Sequence, residues 1–147
     1  MPAPPPEGGT TIHAGLLYHH FLKLYARHVA PVADTYAYCL LRNHFKAYGR
    51  TGSLFEHPFE RIEVTSERYL MRLVIYIHHN PQKHGLIADF RAWPYSSYHS
   101  LRSNRPTPLR RDEVIGWFGG PAQVEEAHRL SSVDRRLAPF FLEDFDP

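Results

Sequence analysis

The strongest periodic signal lies between Tyr69 and Gly85. Leu70, Leu73, Val74 and Ile77 recur at helical spacing, which predicts a helix with one apolar stripe. Arg72, Tyr76 and His79 fall at i, i+4 and i+7, so they share a flank beside that stripe. Thr65 or Ser66 suits the N-cap, and Glu67 suits the positive first turn. Pro81 predicts a stop near His79, because the residue before a proline is pushed out of the α region. Gly85 supplies the turn beyond it.

The same reading extends along the chain. His13 to Val29 patterns as a helix, with Leu17, Phe21, Leu24 and His28 on one face and Lys23 and Arg27 off it. Thr35 to Leu41 is rich in aromatic and aliphatic residues on both faces, which predicts a central strand covered on both sides. Ser53–Glu56 and Glu60–Val64 are short extended candidates, Pro58 limiting the first to an edge or a loop. Trp93 to Tyr98 predicts an aromatic loop packed on the core. Asp112 to Phe118 predicts a short helix closed by Gly119 and Gly120, and Pro121 the first position of another helix, through about Leu130. The Pro/Gly-rich start predicts a disordered segment over residues 1–12. A main α+β domain over 13–100 follows, then a linker and a helical extension over 101–147.

Composition narrows the class without naming a chemistry. The chain has 147 residues, enough for one domain with a modest core, and 43% hydrophobic with 22% charged content fits a globular protein. It contains no apolar run of about 18 residues, and its start has neither a basic region nor an apolar core, so the expected compartment is the cytoplasm. The single cysteine, Cys39, has no internal disulfide partner and reads as a small buried hydrophobe. Net charge is only +2. Arg102, Arg105, Arg110 and Arg111 cluster in one segment, and Arg42, Lys46 and Arg50 in another, which permits a nucleic-acid partner without requiring one. Eleven histidines are scattered with no zinc spacing. Tyr76, between two basic side chains, has two readings: a nucleophile, or an amphipathic aromatic at a core boundary.

Several segments together resemble one family. Tyr36 to Phe45, ending Arg42-Asn43-His44-Phe45, is similar to the motif strand of the one-tyrosine HUH single-strand DNA transposases, in the branch called REP-associated tyrosine transposases. Arg50 to Phe55 resembles that branch's next signature, and Tyr76-Ile-His-His-Asn80-Pro81 with Lys83-His-Gly85-Leu86 its tyrosine helix. Trp93 to Tyr98 and Asp112 to Gly120 resemble segments that follow, in family order, over about residues 20–120. The resemblance implies a shortened ferredoxin-like sheet with helices packed on one face, plus a small helical C-terminal extension. It implies cleavage and rejoining of single-stranded or hairpin DNA by a homodimer through a covalent phosphotyrosine on Tyr76. His44 would be a ligand of a divalent metal, Mg or Mn, that polarises the phosphate. Lys46, Arg50, Arg72, His79 and Lys83 would contact DNA.

The chain departs from the family at two points. The second histidine of the motif should stand two residues after His44, and Lys46 stands there; a lysine ammonium has donors only. The stretch between Lys46 and Arg50 is also too short for the strand and helix that members carry, so a segment is missing near residues 45–48. These departures keep two alternatives open: a catalytically inactive remnant with at most weak DNA binding, and a small protein-interaction module.

Overall fold

The computed structural model describes residues 10–41 and 63–133. Among them the chain forms α1 (Thr10–His28), α2 (Glu67–Lys83), a 3-10 turn (Phe90–Ala92), α3 (Tyr98–Leu101), α4 (Arg111–Phe118) and α5 (Pro121–Val133). The expected extended piece at 53–56, residues 60–62 of the second, residues 1–9 of the segment expected to be disordered and the missing-segment junction lie outside the described residues; Thr10 to Ile12, the rest of the segment expected to be disordered, instead open α1.

α2 starts where the sequence places it. Ser66 has extended backbone and its hydroxyl accepts from the Tyr69 amide at 3.2 Å, which satisfies one of the orphan donors of a first helical turn. Its end is later than the expected stop at His79. Pro81 sits inside the last turn, buried, and the helix runs on to Lys83. The closure explains the difference. Leu86 N–H donates to Pro81 O at 2.9 Å and Gly85 N–H to Gln82 O at 3.1 Å, with Gly85 at φ 68°. That paired closure satisfies the last carbonyls and needs a left-handed residue, which glycine supplies without a side-chain clash. The gain offsets the one amide bond that Pro81 omits.

The buried face of α2 is turned from the expected stripe. Val74 and His78 are buried, and Met71 and Ile75 pack beside them. Leu70, Leu73 and Ile77 are only half-buried. Val74 joins Leu101, Leu109, Val114, Phe118 and Val124 in one core. α4 and α5 therefore share a core with α2, and the 100–110 stretch is anchored by buried Leu101 and Leu109. The Arg111 guanidinium also gathers the carbonyls of Ser103 and Arg105, the latter at 2.8 Å. α4 ends at Gly119, at φ 89°, as its glycine pair predicts. α1 lies along the edge: the Tyr18 and Tyr95 rings meet at 4.3 Å, while Leu16, Leu17, Phe21 and Leu24 are exposed.

The ferredoxin-like α+β sheet is overturned: the described residues are helical and contain no strand. Thr35–Leu41, expected as a central strand, is an extended arm with two isolated bridges, Thr35 to Leu109 and Cys39 to Ser96. Its polar groups are taken up by turns instead of a ladder. Leu40 N–H donates to Tyr95 O at 2.9 Å, Ser97 N–H to Tyr38 O at 2.9 Å and Arg110 N–H to Thr35 O at 2.8 Å. Two side chains complete the set. Ser97 Oγ accepts from Tyr38 N–H at 2.8 Å, and Trp93 Nε1–H donates to Leu40 O at 3.0 Å. Apolar composition correctly marks the arm for cover on both sides, and all its residues from Thr35 to Leu41 are half-buried. Burial does not require a strand partner when loop amides can meet the same groups.

Candidate functional site

α2 separates its polar side chains onto two flanks. On the outer flank Tyr76 is half-buried, and the Lys83 ammonium lies over its ring, 4.6 Å from the centroid. The i, i+7 spacing stacks Lys83 two turns beyond Tyr76, and Arg72 sits one turn before it, half-buried. A cation over the face of a phenol is held by the ring quadrupole. The outer flank thus carries two positive charges around one hydroxyl-bearing ring. His44, Lys46 and Arg50 lie outside the described residues. Among the described residues no group of three His, Cys, Asp or Glu could hold a metal ion.

His79, read from the sequence on the Tyr76 flank, is turned toward α5. Its Nε2–H donates to His128 O at 3.1 Å and its ring stacks on Phe90 at 3.9 Å. Burial holds its pKa below the usual histidine value, and the His128 carbonyl opposes that shift.

The inner flank holds a polar chain that sequence reasoning missed. Ser97 Oγ is 2.7 Å from His78 Nε2, His78 Nδ1 is 2.8 Å from His128 Nε2, and His128 Nδ1 is 2.7 Å from Val124 O. Ser97, His78 and His128 are all fully buried. The carbonyl at the end fixes the protons. Val124 O can only accept, so His128 carries its proton on Nδ1 and accepts at Nε2. His78 must then donate from Nδ1 and accept at Nε2, from the Ser97 hydroxyl. Every neutral group in the chain is satisfied, and Tyr38 O keeps its bond from Ser97 N–H. Burial drives the His128 pKa down to about 4 against the pull of the Val124 carbonyl, with His79 adding a smaller push downward. Burial also holds His78 well below its usual value, reinforced by His128, His79 and His99. Both rings are therefore neutral near pH 7. A serine hydroxyl facing a histidine has the parts of an activated nucleophile, but full burial gives it no substrate. The available signal was that His78 lies one turn after Val74, one residue beyond the predicted stripe.

The remaining candidates are accounted for by packing. Burial pushes the half-buried Cys39 thiol up to about 12, which keeps it neutral. Of the arginine cluster, Arg102 pairs with Glu125, and Arg110 with Asp34 and Glu113. No helix among the described residues is long and apolar enough to cross a membrane. No family model matches the chain, and no curated protein or solved structure matches it either.

Proposed function

We propose that the chain is a transposase-like DNA-binding protein that engages single-stranded or hairpin DNA along the outer flank of α2. Tyr76 is the residue that would attack a phosphodiester, on the resemblance of its segment to the tyrosine helix of REP-associated tyrosine transposases. The observation that carries this reading is the Lys83 ammonium over the partly exposed Tyr76 ring, with Arg72 one turn away. Phosphate contacts need such positive charge beside the reacting group. The covalent product would be a phosphotyrosine, with the strand's other end leaving as a hydroxyl.

Binding of a labelled DNA hairpin, titrated over salt, tests the first half. Affinity should fall steeply as salt rises, and Lys83→Gln should weaken it and flatten the slope. Incubation with Mg or Mn tests the second: a denaturation-resistant protein–DNA adduct that Tyr76→Phe abolishes supports cleavage. Absence of hairpin binding at low salt would sink the whole reading.

A second reading is favoured by one specific observation. Lys46 stands where the second motif histidine is expected, and a charged lysine cannot ligate a metal. On that reading the chain binds DNA without cutting it, and the hairpin shift appears with no adduct.

A further inference from the structure

We propose that the Ser97–His78–His128 chain is an acid-released latch, in which a proton entering the buried ring pair detaches α5 from α2. The proposal does not rest on the DNA reading. The chain ties three parts of the molecule: Ser97 in the turn that holds the extended arm, His78 on α2 and His128 on α5. His79 adds a second tie to α5 through the His128 carbonyl.

The hydrogen bonds alone would tolerate one extra proton. Ser97 Oγ is 3.1 Å from Tyr38 O and can turn its hydroxyl there. His78 Nε2–H then donates to Ser97 Oγ, and His128 Nε2–H donates to His78 Nδ1, with His128 Nδ1–H still on Val124 O. The proton sits in the chain with every bond kept. Among the described residues the site has no counter-charge: neither ring is hydrogen-bonded to a carboxylate there. From α2 the pair faces His79; from α3, Tyr98 and His99; from the 3-10 turn and α4, Phe90 and Phe118. Two acids of the neighbouring segments are committed to arginines: Asp89 to Arg91 at 3.0 Å and Glu125 to Arg102 at 3.6 Å. A fully buried cation with no counter-charge beside it is costly to keep dry. Detaching α5 hydrates His128 and removes that cost. Both rings are held below the usual histidine value while buried, so the released state gains the proton first.

Hydrogen exchange of the full chain between pH 7 and pH 4 tests the latch. After correction for intrinsic rates, the opening constant of α5 amides should rise about tenfold per pH unit below 6.5 for each proton taken up. α2 amides around Val74 should stay better protected than those of α5 at every pH, opening only with the whole fold. A flat α5 profile, or opening constants that are equal in α2 and α5 throughout, overturns the proposal. The double variant His78→Gln, His128→Gln keeps a donor and an acceptor at each position and removes the titration. Its α5 opening should lose the pH slope; an unchanged slope would count against the latch. Should that variant fail to fold, imidazole nitrogen spectra of the native chain decide. Both rings neutral and protonated on Nδ1 at pH 6 support the latch, and a charged ring with α5 still protected refutes it.

Discussion

His78 and Lys83 lie on one helix, five residues apart, and their charge states are governed by opposite circumstances. His78 is enclosed, neutral and hydrogen-bonded at both ring nitrogens. Lys83 is exposed and lies over the face of Tyr76. The difference teaches what each flank of α2 is for. An enclosed polar chain must be fully satisfied, because each orphaned group costs about 1–3 kcal/mol. It therefore specifies how α2, α5 and the extended arm fit together. An exposed cation over a phenol contributes about 0.5–1 kcal/mol, so that contact does little to fix how the helices fit together.

Acid should separate the flanks most strongly. His128 has a pKa of about 4 in the fold and about 6.5 in the unfolded chain. Between those values the unfolded chain takes up a proton that the folded chain refuses, so stability falls as pH falls. It is full above pH 6.5. The loss is about 1.4 kcal/mol per pH unit, or about 3 kcal/mol by pH 4 from this ring alone. Urea unfolding followed at pH 7, 6, 5 and 4 measures it; equal midpoints would break the comparison. Ser97→Ala should follow, at about 2 kcal/mol, because it strips the Tyr38 amide and the His78 ring of one shared partner. A midpoint within error of the native chain would show the hydroxyl to be dispensable.

Ser66→Ala probes both flanks equally, because the N-cap serves the whole helix. It should cost about 1 kcal/mol at every pH between 7 and 5, so a pH-dependent cost would place the cap within the acid response. Smallest of all should be Tyr76→Phe, which keeps the ring under Lys83 and should change stability by less than about 0.5 kcal/mol. Thermal unfolding checks it. A larger loss would make the Tyr76 hydroxyl a packing group and weaken its reading as a nucleophile.

Local chemistry made the helices legible. Ser66 as cap, Glu67 in the first turn, Gly85 beyond the end of α2, and Gly119 closing α4 before Pro121 opens α5 all act within a few residues. Three features were hidden by distance. The closure that carries α2 past Pro81 depends on Leu86 reaching back, so a rule about one proline stops too early. Thr35–Leu41 has the composition of a strand, and only the turns 50 or more residues later decide what pairs with it. The buried chain joins residues 19 and 50 positions apart, and no periodicity in a window of helical length can bring His78 and His128 together. The outer flank was legible in part: Arg72 and Tyr76 follow from spacing along one helix, Lys83 was reached only through the family resemblance because the helix was expected to stop near His79, and the inward turn of His79 follows from where α5 docks.

One serine oxygen, that of Ser97, is claimed by the backbone of the arm and by a ring of the central helix. The two segments are thus spliced at a single atom. A chimera that imports residues 35–41 from another protein must present its amide at the height of Tyr38, or the side chain at 97 will have to choose between its hosts. Replacement of the arm and of the Trp93–Tyr98 turn should therefore succeed as a pair more readily than either exchange made alone.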